Sequence, residues 1–290
     1  MNNSIVDKLE KYIELDTKTK SSYWKNIYNG NANYKNPFEA LTFGGYLKKE
    51  RLFKSFANYI LSILIFGNNI FKSETYKNYK IVFDKSKRLI NSDTLRHIFT
   101  FELLKSINPP SNVCVIGDGK CNFVIGSLLT FPNSRIFSIN LSETLINDYL
   151  VLKEMKILDD TEIQVIENEH DEILENKKLI LIPSHLKEFL SNKNVDLFFN
   201  IASFQEMTID EIENYFRIIK SNNSLFYCCN REYKKLVGGE ELYFDNYPWG
   251  NITKKFNEDC PWHQKNYQKN YPFITKYDGN HKHCLIDYSN

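Results

Sequence analysis

The sequence changes character after Pro109-Pro110, where short β-branched runs begin to alternate with helical segments of about ten to fifteen residues. This alternation is typical of βαβ units, in which helices connect parallel strands and cover the sheet. It therefore predicts an α/β domain built on a parallel sheet. We expect its strands over 112–116, 135–139, 178–182, 196–200 and 224–229, and its helices over 121–130, 142–155, 184–190 and 208–220.

The chain before that boundary shows apolar side chains at helical spacing and no strand series. We therefore divide the protein into an N-terminal helical region, 1–108, and a Rossmann-like domain, 109–290. A long helical pattern runs from Tyr46 to Leu64 and stops at Gly67, a residue type that often ends helices. We expect this helix to be a central packing element.

The end of the sequence predicts an antiparallel hairpin. Two alternating runs, 273–277 and 282–288, flank the turn-forming sequence Asp278-Gly279-Asn280. The predicted fold class is thus α/β, a Rossmann-like sheet of parallel strands with a C-terminal antiparallel hairpin, preceded by an α-helical region.

Charge and composition argue against several classes of function. The 37 basic residues nearly balance the 36 acidic ones, so no global positive field favours a nucleic-acid partner. The longest apolar stretch, 59–67, is far shorter than the ~20 residues that a membrane span requires. The N-terminus lacks the apolar run of a secretory signal, and the six cysteines form no CxxC pair. We expect a cytoplasmic protein with reduced thiols.

The sharpest local motif is a hydrophobic strand that runs into Gly117-Asp118-Gly119 and then into a helix. Gly117 permits a tight turn, and Gly119 allows a ligand to approach the backbone closely. The first amides of the following helix, together with its dipole, favour a carboxylate or a phosphate. The motif predicts a cofactor site, although the same turn also occurs as a purely structural connection.

Ligands of open α/β sheets bind at the carboxyl ends of the strands, so the residues that follow the strands form one candidate site. Asn140 stands where an acidic residue often holds a ribose. It can still accept a hydrogen bond, and an aspartate there should tighten cofactor binding. The predicted cofactor-binding residues are Gly117, Asp118, Gly119, Asn140, Leu141, Ser184 and Ser203.

Five segments carry a family resemblance: SYWK at 22–25, VIGDGKCN at 115–122, INLSETL at 139–145, NIASFQEM at 200–207 and YPW at 247–249. With these segments and the predicted strand plan, the chain resembles a family of bacterial sugar O-methyltransferases. These are class I S-adenosylmethionine-dependent enzymes often found with surface-polysaccharide genes. The resemblance implies S-adenosylmethionine as cofactor and transfer of its methyl group to a hydroxyl of a small-molecule or glycan acceptor, such as a nucleotide-linked sugar.

A hydroxyl acceptor needs a base, and the catalytic candidates are Glu206 and His263. Glu206 follows the fourth predicted strand, but it could equally cap the helix that begins at Thr208. His263 ends the aromatic loop 260–263, which is suited to sugar stacking; a structural role on the surface is the alternative. The acceptor-binding candidates are Gln205, Arg231, Tyr247 and Trp249.

We expect no metal site. His281 and His283 face one side of the predicted hairpin, but without a third ligand nearby we interpret them as a solvent-facing pair. Two other functions remain open. One is an NAD-dependent oxidoreductase, which shares the strand-GxG-helix motif, and the other is a non-catalytic nucleotide-binding module that kept the fold.

Overall fold

The computed structural model describes residues 4–28, 52–86, 88–267, 271–277 and 279–289. The helices that precede the sheet are α1 (Ile5–Glu10), α2 (Ser22–Tyr28), α3 (Leu52–Phe66), α4 (Glu74–Lys85) and α5 (Ser92–Leu104). The later helices are α6 (Asn122–Thr130), α7 (Ser142–Met155) and α8 (Ile209–Ser221). Within the described ranges, no helix is both long and apolar enough to cross a membrane.

The strands described are β1 (Asn112–Ile116), β2 (Arg135–Asn140), β3 (Ile163–Val165), β4 (Leu179–Pro183), β5 (Leu197–Ile201), β6 (Leu225–Arg231), β7 (Tyr233–Lys235), β8 (Glu241–Tyr243), β9 (Lys254–Asp259), β10 (Lys265–Tyr267), β11 (Ile274–Lys276) and β12 (His281–Asp287). Eight of them form one sheet in the order β3-β4-β2-β1-β5-β6-β12-β9. The first six strands in that order run parallel, whereas β12 is antiparallel to both of its neighbours. The sheet and the helices before it confirm the predicted fold class.

The five predicted parallel strands agree with β1, β2, β4, β5 and β6 to within two residues. Their apolar side chains are buried along almost the whole of each strand, which is why the β-branched runs were visible in the sequence.

The C-terminal strand is antiparallel, as predicted, but the predicted hairpin between 273–277 and 282–288 is wrong. Strand β12 pairs with β6 and β9, so that Cys284 lies opposite Cys228 and Asn257. Strand β11 pairs instead with β10. Alternation identifies a strand and its two faces, but not its partner, and the buried β12 hydrogen-bonds on both edges. Asp278, in the predicted turn, lies outside the described residues.

The N-terminal helices share a hydrophobic core with one face of the sheet. The ring of Phe101 in α5 stacks on Phe123 of α6 with centroids 4.5 Å apart, and Phe123 meets Phe199 of β5 edge-on at 4.6 Å. Tyr79 and Phe83 of α4 are fully buried in the same core. This packing places α5 close to the carboxyl ends of the strands, whereas Tyr23 of α2 packs against the core on the opposite face of the sheet.

The helix predicted over 46–64 corresponds to α3, while residues 46–51 lie outside the described part of the chain. The expected central packing of this helix is wrong, since Phe56 and Leu64 are 62% and 64% exposed. Helical spacing of apolar residues identifies a helix, but it does not identify the surface that its apolar face covers.

Candidate active site

A cavity of about 350 Å³ opens at the carboxyl ends of β1, β2, β5 and β6. Such a position is where parallel α/β sheets bind ligands, because the strand ends and their loops converge there. The N-terminal region contributes Thr19, Tyr23 and Trp24 to its wall. The sequence-predicted residues that line the cavity are Gly117, Asp118, Gly119, Asn140, Leu141, Ser184, Ser203, Gln205, Glu206, Arg231 and His263.

Gly117 makes the tight turn after β1, with a φ of +75°. Its amide donates a hydrogen bond to the Ile139 carbonyl at 2.9 Å. A Cβ atom on Gly117 would lie only 1.8 Å from Ser203 Oγ, in the loop after β5. Glycine is therefore required at this position both by the left-handed backbone and by the close approach of Ser203.

Asp118 occupies the helix N-terminus at which the sequence predicted a ligand. Its Oδ2 accepts hydrogen bonds from the amides of Phe123 and Val124 at 2.6 and 2.8 Å, and its Oδ1 accepts one from the Lys120 amide at 3.3 Å. Burial raises the pKa of the Asp118 carboxyl, while these backbone hydrogen bonds lower it. The first amides of α6 thus bind the protein's own carboxylate. The prediction that these amides bind an anionic group of the cofactor is therefore wrong for Phe123 and Val124.

The Asn140 side chain connects the end of β2 to the same turn. Its Nδ2 donates to the Asp118 carbonyl at 3.0 Å, and its Oδ1 accepts from the Leu141 amide at 3.0 Å. Because a carbonyl oxygen has two lone pairs, Oδ1 can still accept one hydrogen bond from a ligand in the cavity.

Ser184 lies at the end of β4 and is held by the N-terminal segment. Its Oγ donates to Asp16 Oδ1 at 3.0 Å and lies 2.6 Å from Thr19 Oγ1. Asp16 also accepts a hydrogen bond from the Ser142 amide, at the start of α7, and contacts His185 Nδ1 at 2.7 Å. The segment from Asp16 to Thr19 therefore packs over this side of the strand ends.

Glu206 lies on the cavity wall in a short 3-10 turn after β5. Burial raises the pKa of Glu206 to about 7. The cations Lys234 and Arg231, and a hydrogen bond with Tyr23, lower it by smaller amounts. Thr208 caps α8, accepting from the Glu211 amide, so capping does not account for Glu206. A carboxyl group with a pKa near neutrality can accept a proton at physiological pH, as a general base must.

Gln205 connects the Glu206 loop to the end of β6. Its side-chain Oε1 accepts a hydrogen bond from the backbone amide of Arg231 at 2.8 Å, and its backbone amide donates to Asn230 Oδ1 at 3.2 Å. Asn230 Nδ2 in turn donates to Asn200 Oδ1 at 2.8 Å. This buried network orients the loop that carries Glu206 and the backbone from which Arg231 reaches the cavity.

His263 is only 4% exposed, so the alternative of a structural role on the surface is wrong. Burial lowers the pKa of His263, which leaves its imidazole neutral at pH 7. Its Nδ1 lies 3.2 Å from Cys260 Sγ and 3.7 Å from Cys229 Sγ. Since Nδ1 is directed at the two sulfurs, Nε2 is the nitrogen available to a ligand in the cavity.

Several lining residues were not indicated by the sequence: Tyr23, Trp24, Asp93, Arg96, His97, Lys120 and Tyr277. Asp93 accepts from Lys120 Nζ at 2.7 Å and from Arg96 at 2.6 Å. Burial lowers the pKa of His97 to about 3, and its buried Nδ1 has no hydrogen-bond partner. Two of the quoted segments covered some of these positions: SYWK covered Tyr23 and Trp24, and VIGDGKCN covered Lys120.

Tyr247 and Trp249 were expected to bind the acceptor, but both are buried outside the cavity. Trp249 Nε1 donates to the Phe244 carbonyl at 2.9 Å, and its ring meets Phe216 edge-on at 5.0 Å. Their aromatic area fills the hydrophobic core instead. This corrects their assignment as acceptor-binding residues.

Two further predictions are wrong: that His281 and His283 face solvent, and that the aromatic loop 260–263 stacks on a sugar. His281 and His283 are 0% and 1% exposed, because their face of β12 is covered by the rings of Trp262, His263 and Tyr277. Trp262 stacks on Phe99 of α5 at 5.6 Å and does not line the cavity, so it is not placed to stack on a sugar there.

The sequence matches no protein-family model and no curated protein. Methyltransferases are among the solved structures with a similar fold. The methyltransferase domain of bacterial CtHen1 has a TM-score of 0.38 and 12% identity, covering 68% of this chain and 100% of that chain. The mitomycin 7-O-methyltransferase MmcR has a TM-score of 0.40 and 9% identity, covering 81% and 66%. Human N-acetylserotonin methyltransferase in complex with SAM has a TM-score of 0.35 and 10% identity, covering 97% and 70%. At such distances the function has to be argued from the cavity itself.

Proposed function

We propose that the protein is an S-adenosylmethionine-dependent methyltransferase that acts on a hydroxyl group of a sugar. One observation carries the proposal: a single cavity joins the Gly117 turn to Glu206, a carboxyl group with a pKa of about 7. Methyl transfer to a hydroxyl needs a cofactor and an acceptor held in line and a base beside the acceptor. The sheet order, with one antiparallel strand inserted beside β6, is consistent with this class of enzyme.

The residues at the strand ends fit S-adenosylmethionine. Asn140 Oδ1 can accept from a ribose hydroxyl, and Leu141 and Ser184 line the same side of the cavity. Near the turn, Lys120 and Asp93 carry the charges that would hold the carboxylate and the ammonium of the methionine part. The bound cofactor supplies an electrophilic methyl group on its sulfonium.

The acceptor side offers both a base and recognition groups. Glu206 takes the hydroxyl proton as the acceptor oxygen attacks, and it is mostly ionised above pH 7. Arg231 can donate hydrogen bonds to sugar or phosphate oxygens, and the rings of Tyr23 and Trp24 offer flat apolar surface. These features favour a polar, ring-shaped acceptor such as a sugar.

The test is methyl transfer from S-adenosylmethionine to three acceptor classes: monosaccharides, nucleotide-linked sugars and polysaccharide fragments. Release of S-adenosylhomocysteine together with one added methyl group on an acceptor of at least one class is the expected result. Cofactor hydrolysis without a methylated product would contradict the proposal.

A non-catalytic S-adenosylmethionine-binding or nucleotide-binding module is the second candidate. It is favoured by the hydrogen bonds that Asp118 and Asn140 make within the protein, since both side chains were expected to serve the cofactor. Cofactor binding without transfer to any of the three acceptor classes would favour this candidate.

A further inference from the structure

Cys229 and Cys260 converge on His263, a residue of the cavity wall. Cys229 lies on β6, while Cys260 and His263 begin and end a short turn after β9. Their ligand atoms, the two Sγ atoms and one imidazole nitrogen, all lie within 4.8 Å of one another. All three side chains are buried, at 4% exposure or less.

The spacing of these atoms suits a tetrahedral metal site. Zinc bonds of about 2.3 Å to sulfur and about 2.0–2.1 Å to nitrogen place sulfur and nitrogen ligands roughly 3.5 Å apart. The observed distances from His263 Nδ1, 3.2 Å to Cys260 Sγ and 3.7 Å to Cys229 Sγ, lie on either side of that value. One nitrogen therefore faces both sulfurs at the separation that a shared ion requires.

The chemistry of the group is selective. Two thiols and an imidazole are soft or borderline ligands, which favour Zn²⁺ over Mg²⁺ or Ca²⁺. His283 lies opposite Cys229 in the sheet register, but its Nε2 lies 3.4 Å from Glu258 Oε1, and His283 is not part of the group of three. The protein therefore supplies three ligands and leaves the fourth tetrahedral position to a water.

We propose that Cys229 Sγ, Cys260 Sγ and His263 Nδ1 bind one zinc ion, with a water as the fourth ligand. Zinc on Nδ1 requires the neutral ring to carry its proton on Nε2. His263 would then donate a hydrogen bond into the cavity and could not act as the base. This last consequence rests on the proposed function, and it leaves Glu206 as the base.

The test is metal analysis of the full-length protein, purified under reducing conditions without chelators, followed by cobalt titration of protein from which metal has been removed. We expect one zinc per chain. Cobalt should produce a sulfur-to-metal charge-transfer band and the visible bands of tetrahedral Co²⁺. In Cys229→Ser and Cys260→Ser the zinc affinity should fall at least tenfold, and the charge-transfer band should be weakened.

Cys284→Ser is the matched control, because Cys284 is a buried cysteine of the same sheet outside this group; it should keep one zinc per chain. A wild-type protein with reduced thiols that takes up neither zinc nor cobalt overturns the proposal, as does a disulfide between Cys229 and Cys260. The wild-type result decides even where the serine variants fail to fold. Metal content is measured without methyl transfer, so failure here is distinguishable from failure of the proposed function.

Discussion

Tyr23 of helix α2 and Glu206, in the loop after β5, line the same cavity, and the Tyr23 phenol is close enough to lower the pKa of the Glu206 carboxyl. The contact makes the N-terminal region part of the candidate active site. It also has an electrostatic effect, because the Tyr23 hydrogen bond lowers the pKa of Glu206 while burial raises it. The tyrosine therefore helps to set the pH at which the carboxylate is available.

Glu206→Gln should separate binding from chemistry. The amide keeps the shape of the side chain but cannot accept a proton, so turnover should fall about 10²- to 10⁴-fold with cofactor affinity nearly unchanged. Steady-state kinetics and calorimetry measure the two effects. Glu213→Gln, an exposed change on α8, is the matched control and should leave both unchanged. Full turnover in Glu206→Gln would transfer the role of base to another group.

Turnover should rise with pH between about 6 and 8 and then level off, because the active form of Glu206 is the carboxylate and its pKa is about 7. In Tyr23→Phe the hydrogen bond that lowers this pKa is lost, so the midpoint of the rise should move to higher pH. Tyr233→Phe, at an exposed tyrosine of β7, is the control. A midpoint that moves to lower pH, or stays where it was, argues against the Tyr23 contact.

Gly117→Ala should destabilise the protein more than Gly67→Ala. Both glycines have a φ of +75°, but a Cβ on Gly67 meets nothing within 4 Å, whereas one on Gly117 meets Ser203 at 1.8 Å. The backbone cost should be about 1–2 kcal/mol at both sites, with a further ~1–3 kcal/mol at Gly117 from the collision. Urea unfolding measures the difference. Equal losses would show that the loop moves aside without cost.

Asn140→Asp should destabilise the protein and weaken cofactor binding. The sequence position of Asn140, at the end of β2, led to the opposite expectation for cofactor binding. The aspartate has no Nδ2 to donate to the Asp118 carbonyl, and its charge would face that oxygen. We expect a loss of about 1–3 kcal/mol in the free energy of unfolding at pH 7 and weaker cofactor binding. Tighter binding in an equally stable variant would contradict this account of Asn140.

The sheet was predictable because β1, β2 and their parallel neighbours are buried apolar runs, which leave a local signal. Residues after those strands were predictable as one site, because the topology brings them to one edge. The strands that pair with β12 could not be predicted, since strand pairing is decided by packing between segments that are distant in the sequence.

The rest of the site depends on how the helices pack. His97 reaches the cavity because α5 packs on one face of the sheet, and Tyr23 reaches it because it packs against the core on the other face; no local spacing indicates either. The assignment of Tyr247 and Trp249 to the acceptor site was wrong because an aromatic side chain can fill a hydrophobic core as well as line a sugar site. Burial, which distinguishes the two roles, cannot be deduced from residue type alone.

Calorimetric titration of the folded wild-type chain with S-adenosylmethionine, and separately with NADH, tests the central claim most directly. We predict saturable binding of S-adenosylmethionine at one site per chain and no heat of binding with NADH. A Gly117→Ala variant that remains folded should bind S-adenosylmethionine at least tenfold more weakly, because the turn lines the cavity. Saturable binding of NADH with no binding of S-adenosylmethionine would contradict the account.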